Sequence, residues 1–166
     1  MQDSNQSHEE GDHGATGVGP MSTALLVDDN ADVRFLARFL LEGAGFEVSE
    51  ADSGPAALEL LAEGCPDIML LDVQMPDMDG WQTLQSIRGN PATADLRVVV
   101  FTVKGRPEDV VRGWELGCDG YLPKPFDAMQ LEAEVQRVIN LRQDERTQSR
   151  AARLADAREE LAAASA

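Results

Sequence analysis

The chain has 166 residues, of which 43% are hydrophobic and 27% charged, as in soluble globular proteins with one domain and some additional chain. Its formal net charge of −16 argues against direct nucleic-acid binding, because such surfaces concentrate Lys and Arg. The sequence contains no apolar run of about 18 residues and no basic leader followed by an apolar one, so we expect no membrane span and no secretory signal. Cys65 and Cys118 lack metal or redox spacing, which is typical of a reducing, cytoplasmic compartment.

The first segment, residues 1–22, has few apolar side chains and no Lys or Arg. Such a composition buries too little surface to offset the entropy of ordering, so it predicts a disordered acidic tail. His8 and His13 lie in this tail, and we interpret them as solvated side chains rather than metal ligands.

From Thr23 onward, apolar runs alternate with segments of helical spacing. Five strands are predicted, at TALLV, FEVSEA, PDIMLLD, LRVVVFT and GYLP. Helices are predicted after each strand, among them one with Ser53 as N-cap and Pro55 in its first turn, and a last one beginning near Phe126. This alternation favours a doubly wound, flavodoxin-like α/β fold whose parallel sheet has the order 2-1-3-4-5.

Polar side chains follow the predicted strands at their carboxyl ends. Asp28 and Asp29 follow the first strand, Asp72 the third, Thr102 ends the fourth, and Lys124 follows the fifth. Taken singly, each has an ordinary structural explanation, such as a helix-capping turn. Because the carboxyl ends of parallel strands share one edge of the sheet, we expect three carboxylates, a hydroxyl and an ammonium group to converge there.

These residue types favour phosphoryl chemistry. Neighbouring carboxylates repel by roughly 4 kcal/mol at about 4 Å and an effective dielectric of about 20, and a divalent cation relieves this. Mg²⁺ (or Mn²⁺) takes carboxylate and phosphate oxygens. Asp72 can act as a nucleophile that forms an aspartyl-phosphate, while Lys124 neutralises charge and Thr102 donates its hydroxyl to a phosphoryl oxygen.

The motifs LLVDDN, LLDVQMPDMDG, VVVFT and GYLPKPF, in this order, resemble the receiver domain of two-component response regulators over residues 23–141. The resemblance implies that Asp72 accepts a phosphoryl group from a sensor histidine kinase or a histidine phosphotransfer protein. It also implies that Asp28, Asp29 and Asp72 hold Mg²⁺ together with the backbone carbonyl of Gln74.

The same resemblance implies how a signal leaves the site. Thr102 and Lys124 would contact the phosphoryl group, and an inward shift of Thr102 would vacate space for Tyr121, the switch aromatic. That shift would alter the surface of the fourth helix, fifth strand and fifth helix. A cis peptide bond is implied between Lys124 and Pro125. From the residues alone, Tyr121 would be an ordinary half-buried strand residue.

Three residues near the predicted site differ from, or vary within, the family pattern. Val103 stands where receivers usually carry a smaller Ala, and Gln74 and Lys104 lie two residues after Asp72 and Thr102. Attacking water would pass these positions. Our hypothesis is that the three side chains tune the lifetime of the phosphorylated state.

The composition of residues 142–166 predicts a polar helical C-terminal extension with no output domain. A short apolar stripe at Leu154, Ala157 and Leu161 leaves two interpretations open. One is a solvated tail, and the other is a docking helix or an oligomerisation helix that forms a homo-oligomer. In both cases we expect the chain to signal through a downstream protein target.

The first predicted helix has an aromatic pair opposite its core-facing residues. Phe35 and Phe39 fall on this outer face, and the residues expected to face the core are Val33, Leu36, Ala37, Leu40 and Leu41. Exposed apolar patches are often contact surfaces, and the resemblance places partner docking here and at Pro125 and Phe126. The alternative is that the C-terminal extension folds back and covers the pair.

Two other functions are weighed against the phosphoacceptor. A haloacid-dehalogenase-type phosphatase would need a second Asp two residues after Asp72, where Gln74 stands, and would leave Asp28 and Asp29 unexplained. A receiver-like module that is never phosphorylated would not need the complete set of acidic, hydroxyl and ammonium groups. Both are therefore less favoured than a signalling phosphoacceptor that is not an enzyme toward other substrates.

Overall fold

The structure is a computed structural model that describes residues 20–103 and 105–166. Most of the predicted N-terminal tail and Lys104 therefore lie outside the described residues. The predicted tail boundary is one residue too long, because Ser22 already belongs to the first strand. Within the described ranges, no helix combines the length and the apolar character that crossing a membrane would require.

All five predicted strands and five predicted helices are present among the described residues, and one more helix follows them. The strands are β1 (Ser22–Val27), β2 (Phe46–Ala51), β3 (Ile68–Leu71), β4 (Val98–Thr102) and β5 (Gly120–Pro123). The helices are α1 (Ala31–Gly43), α2 (Gly54–Glu63), α3 (Gly80–Gly89), α4 (Pro107–Glu115), α5 (Ala128–Ile139) and α6 (Gln143–Ala164). The last predicted helix, α5, begins at Ala128 rather than near Phe126, because Asp127 is its N-cap.

The described strands form one parallel sheet of order β2-β1-β3-β4-β5, which confirms the predicted topology. Side chains of the central strands alternate between two apolar layers. Leu25, Met69 and Val100 face the layer under α2, α3 and α4, whereas Leu26 and Leu70 face the layer under α1 and α5. Because both faces are covered, the polar chemistry is left to the carboxyl edge of the sheet.

Helix starts follow the capping signals in the sequence. Ser53 caps α2, as predicted, by accepting a hydrogen bond from the backbone of the helix. Asp79 and Gln82 form a reciprocal capping box on α3, and Asp127 and Gln130 form another on α5. Each such cap contributes about 1 kcal/mol and sets where the helix begins relative to the strand before it.

The predicted core face of α1 is correct for Ala37 and Leu41, which are fully buried, but wrong for Leu36, which is 49% exposed. Phe35 and Phe39 are 74% and 67% exposed. The buried stripe of α1 is narrower than the apolar stripe that the helical spacing of its sequence predicts, since only part of the helix surface contacts the sheet. Three large apolar side chains of α1 therefore face outward.

The C-terminal extension packs as helix α6 along α4. Ala157 is buried, and Leu154 and Leu161 are half-buried against the layer that contains Trp114. The alternative in which the extension covers the aromatic pair of α1 is therefore wrong, and so is a fully solvated tail. The short apolar stripe docks the helix onto its own domain.

Candidate functional site

The acidic residues predicted from the strand ends come together at the carboxyl edge of the sheet. Asp28 follows β1 and Asp72 follows β3, and their side chains lie close to that of Asp29. One carboxylate oxygen from each of the three lies within 4.8 Å of the others. Asp28 and Asp72 are 1% and 4% exposed, whereas Asp29 is open to solvent.

Lys124 reaches into this acidic cluster from the end of β5. Its Nζ lies 2.5 Å from Oδ2 of Asp28 and 3.5 Å from Oδ1 of Asp72. The ammonium group also lies 4.6 Å from the centre of the Phe101 ring. The peptide bond between Lys124 and Pro125 is cis, as the sequence motif implies. Lys124 is therefore placed to neutralise charge at Asp28 and Asp72.

The electrostatic surroundings of Asp72 disfavour its negative charge. Burial raises the pKa of the Asp72 carboxyl, Lys124 lowers it, and the charge of Asp28 raises it again. Backbone N–H groups of Val73 and Gln74 also lower this pKa, the former by donating to Oδ1 of Asp72 at 2.8 Å. The raising effects win, so the carboxylate is a group that gains from additional positive charge.

This donor set fits a hard divalent cation. Mg²⁺ prefers carboxylate oxygens, keeps several waters and typically uses one or two carboxylates from the protein. Asp28 and Asp72 supply two buried carboxylates, and the exposed Asp29 leaves one side open to solvent. The side chain of Gln74 is exposed, and its backbone carbonyl as a ligand stays a prediction.

The turn after Asp72 is held in shape by a glycine whose role the sequence reading missed. A Cβ atom at Gly80 would lie 2.2 Å from the backbone oxygen of Asp72. The Gly80 N–H donates to the carbonyl of Val73 at 2.9 Å, and Asp77 has a positive φ of 67°. The available signal was the spacing of Asp and Gly in PDMDG, which marks a tight turn returning toward the strand end.

Two further residues that the sequence reading missed hold Asp28 in place. The backbone N–H of Asn30 donates to Oδ1 of Asp28 at 2.8 Å. Nη1 of Arg34 donates to the Asp28 carbonyl at 2.6 Å, and Arg34 also pairs with Glu50 at 3.4 Å. The N-cap position of Asn30 was a visible signal, whereas the Arg34 contact depends on the position of β2.

Thr102 and Tyr121 lie on the neighbouring strands β4 and β5. Thr102 is fully buried, and its carbonyl accepts a hydrogen bond from the backbone N–H of Lys124 at 2.9 Å. Tyr121 is half-buried, and its ring packs over α4, where a Cβ added to Gly113 would lie 3.3 Å away. Burial raises the pKa of the Tyr121 hydroxyl, and the charge of Asp109 raises it further. The predicted switch pair thus lies on the two strands that follow β3 in the sheet order, and its role stays a prediction.

The other predicted functional residues lie around this edge. Val103, which directly follows Thr102, is 61% exposed and Gln74 is exposed, whereas Lys104 is outside the described residues. Pro125 is exposed, and Phe126 is half-buried against the apolar layer under α1 and α5. Their roles in phosphate lifetime and partner docking stay predictions.

Comparisons with known proteins agree with this geometry. The family model of the response regulator receiver domain matches residues 24–136. The chain is 41% identical over 119 residues to the transcriptional regulatory protein CpxR of Escherichia coli, covering 72% of this chain and 50% of CpxR. It is 38% identical over 115 residues to the phosphate regulon transcriptional regulatory protein PhoB of the same species, covering 69% of this chain and 50% of PhoB.

A solved structure gives the same picture. The chemotaxis response regulator CheY4 of Vibrio cholerae superposes with a TM-score of 0.68 at 31% identity, covering 72% of this chain and 99% of that one. The chain spans about half the length of the curated relatives it matches. From the family match, the shared topology and the acidic edge of the sheet, we conclude that the chain belongs to the response regulator receiver domain family.

Proposed function

We propose that this receiver domain is a Mg²⁺-dependent phosphoacceptor switch in which Asp72 takes a phosphoryl group from a sensor histidine kinase or a histidine phosphotransfer protein. One observation carries the proposal. The Asp72 carboxylate, at the end of a buried strand, lies within reach of two further carboxylates and of the Lys124 ammonium group. That combination stabilises a transferring phosphoryl group better than it stabilises the bare carboxylate.

In the proposed reaction, an oxygen of Asp72 forms a bond to phosphorus while the bond between phosphorus and the donor's imidazole nitrogen breaks. The leaving imidazole keeps the bonding electron pair and takes its proton from solvent. Asp28, Asp29 and Asp72 would hold Mg²⁺, which supplies positive charge to the phosphoryl oxygens. Lys124 pairs with one phosphoryl oxygen, and the Thr102 hydroxyl donates to another. Hydrolysis of the aspartyl-phosphate later returns the free carboxylate.

Beryllofluoride, which forms a phosphoryl-like adduct with carboxylates, tests the proposal. We expect a bound fluorine NMR signal with Mg²⁺ in the wild-type protein and in Asp77→Asn, and none in Asp72→Asn. Asp77 is the matched control, because it lies in the same turn but is exposed and has a φ that Asn tolerates. A receiver-like module that is never phosphorylated would give no bound signal in any of the three proteins.

Phosphate lifetime is proposed to depend on Gln74, Val103 and Lys104. Gln74 and Val103 are exposed, and each lies within two residues of Asp72 or Thr102, where it would alter the path of attacking water. Replacing all three by Ala should change the dephosphorylation rate by several fold. An unchanged rate, measured by the decay of phosphorylated protein, would overturn this part of the proposal.

We place the input surface on α1, which begins directly after the acidic cluster. Phe35 and Phe39 are exposed there and line a cavity of about 390 Å³ together with Arg38 and Glu42. An apolar patch beside the phosphoacceptor suits the amphipathic helices that carry a phosphohistidine. Pro125 and the half-buried Phe126, beyond β5, are proposed to border the same docking surface.

Replacement of both aromatic residues by Glu tests this surface. Phosphotransfer from the cognate kinase should slow by about tenfold or more, since a phenylalanine anchor contributes 1–3 kcal/mol at an interface. Labelling by a small phosphodonor should stay unchanged. The matched control is the double variant Ala151→Glu and Ala155→Glu, which adds the same charge on exposed positions of α6. Equal phosphotransfer rates in both double variants would contradict the assignment.

The signal is proposed to leave the domain by protein–protein contacts in the cytoplasm. The net charge of −16 disfavours direct contact with nucleic acid. The face formed by α4, β5 and α5 is covered in part by α6 of the same chain. A downstream protein target would therefore have to meet this face together with α6 or after its displacement.

A further inference from the structure

Helix α6 is attached to the domain differently along its two halves. Its first half meets Asp119, the residue just before β5, whose side chain is completely buried. Arg146 makes a bidentate contact with this carboxylate, with Nε at 3.0 Å and Nη2 at 3.1 Å. Arg150 lies 2.7 Å and Arg88 lies 3.2 Å from the same carboxylate. We call these four residues the Asp119 cluster.

The Asp119 cluster is a strong anchor. Arg146 is 3% exposed and also donates to the carbonyl oxygens of Asp95 and Leu96 at 2.8 and 3.2 Å. Breaking such a buried ion pair is strongly unfavourable, because it leaves an uncompensated charge away from water. The first half of α6 is therefore expected to stay attached under any condition that leaves the sheet folded.

The second half, residues 153–164, rests on weaker contacts. Leu154 and Leu161 are half-buried and Ala157 is buried, so the apolar area they remove from water is small. The ion pair between Arg158 and Glu115 joins exposed side chains, and such pairs contribute little to stability. This half can leave the domain at much lower cost than the first half.

Tyr121 lies at the contact between this second half and the domain. A cavity of about 300 Å³ separates them, lined by Tyr121 of β5, Trp114 of α4, and Arg153 and Ala157 of α6. The Tyr121 ring also packs over Gly113 of α4. In this structure the docked position of α6 therefore occurs together with a Tyr121 ring that lines this cavity and packs over Gly113.

We propose that residues 153–164 form a phosphorylation-responsive cap, docked on the face of α4, β5 and α5 while Tyr121 points toward it and released when Asp72 is phosphorylated. This rests on the proposed function, because the trigger is the inward shift of Thr102 and Tyr121. Withdrawal of the ring enlarges the cavity beneath the cap and removes part of its support. Release uncovers the apolar surface around Trp114 for a protein partner, while the Asp119 cluster keeps the helix tethered.

Hydrogen exchange read by mass spectrometry on the full chain tests the cap. With Mg²⁺ and beryllofluoride, amide exchange in residues 153–164 should increase by about tenfold relative to Mg²⁺ alone, whereas residues 143–150 should keep their protection. In Asp72→Asn the additions should change neither segment. Unchanged or slower exchange in residues 153–164, with beryllofluoride bound, would overturn the cap.

The coupling between cap release and phosphorylation acts in both directions, which gives a second test with a matched control. If phosphorylation disfavours the docked cap, a variant that loosens the cap must favour the phosphorylated state. Ala157→Gln places a larger side chain in the buried contact, and Ala155→Gln makes the same change on the exposed side of α6. The first should bind beryllofluoride about threefold more tightly than the second. Leu161→Ala, a milder change at a half-buried contact, should act in the same direction.

The outcomes separate the two proposals. Equal beryllofluoride affinities in Ala157→Gln, Leu161→Ala and Ala155→Gln would overturn the cap and leave the phosphoacceptor intact. Failure of every protein, including the wild type, to bind beryllofluoride would overturn the proposed function and, with it, the trigger of the cap. Circular dichroism of each variant confirms that it is folded before its affinity is compared.

Discussion

Asp72, the proposed phosphoacceptor, is kept at a cost to the resting fold. The Asp72 carboxylate is buried beside Asp28, and the charge of Lys124 offsets these unfavourable effects only in part. The pKa of Asp72 therefore lies above its ordinary value. Asp72→Asn removes the unfavourable charge and keeps the shape of the side chain. We expect this variant to be more stable than the wild type by on the order of 1 kcal/mol at neutral pH without divalent cations.

The pH dependence of that difference has a definite sign. Because the native pKa of Asp72 is raised, the penalty is complete above this value and disappears as the pH falls below the unfolded value of about 3.9. Urea unfolding of wild type and Asp72→Asn across this range measures it. Added Mg²⁺ should narrow the difference at neutral pH by stabilising the wild type. A wild type more stable than Asp72→Asn at neutral pH without metal would contradict this.

Gly80 tests how tightly the turn after Asp72 is packed. Gly80→Ala forces a methyl group against the Asp72 backbone oxygen, so we expect a loss of about 1–3 kcal/mol in unfolding free energy. Gly89→Ala, in the same helix but with no atom within 4 Å of the added Cβ, is the control. It should be neutral or slightly stabilising, by up to about 1 kcal/mol. Equal changes in unfolding free energy in Gly80→Ala and Gly89→Ala would show that the close approach of Gly80 to the Asp72 backbone does not affect stability.

The sequence predicts correctly which side chains meet where the strand order alone decides their positions. Asp28, Asp72 and Lys124 could be predicted to meet, because each follows a strand and the carboxyl ends of parallel strands share an edge. The contacts of Arg34 and Asp119 could not, because Arg34 reaches back 6 residues to a backbone carbonyl and Asp119 pairs with arginines that lie 27 and 31 residues further along the chain. Such contacts depend on the final packing of neighbouring elements and leave no periodic signal.

Helix α6 shows the limit of pattern reading at the scale of elements. Its composition is polar, and its apolar stripe is short, so the sequence was consistent with a solvated tail or an intermolecular helix. The helix instead docks on its own domain, because arginines that the sequence suggests are solvated form ion pairs with a buried carboxylate of the domain. Arg146 is buried against Asp119, and Leu154 and Ala157 complete the contact.

Asp119→Asn tests whether this internal charge cluster holds α6. The change leaves three arginines without their counter-charge, and burial already lowers the pKa of Arg88 to about 10 with Asp119 present. We expect the free energy of unfolding to fall by about 3 kcal/mol or more. Glu115→Gln, which breaks the exposed pair with Arg158, should change it by less than about 1 kcal/mol.

Chemical denaturation of both variants, followed by far-ultraviolet circular dichroism, measures these changes. Hydrogen exchange in residues 143–150 reports separately on the anchor. Equal stability losses in Asp119→Asn and Glu115→Gln would show that the buried cluster contributes no more than a surface ion pair. Intact protection of residues 143–150 in Asp119→Asn would show that another contact holds the helix.

Across the whole molecule, the parallel sheet places three groups of residues in different regions of the fold. Its carboxyl edge collects the acidic residues and Lys124, α1 presents exposed aromatic side chains on one side, and α4, β5 and α6 meet on another. The strand order was predictable, since alternating strands and helices with right-handed crossovers leave few arrangements. The proposed input surface on α1 and the proposed output surface at α4, β5 and α6 both border this edge of the sheet, and that arrangement follows from the strand order.

The most direct test of the phosphoacceptor is to locate the phosphoryl group. The protein is incubated with a small acyl phosphate and Mg²⁺, and the modified peptide is mapped by mass spectrometry. We predict one hydroxylamine-sensitive phosphoryl group on Asp72, absent without Mg²⁺ and absent in Asp72→Asn, but present in Asp77→Asn. A folded wild-type protein that acquires no phosphoryl group, or acquires it on another residue, would contradict the proposed function.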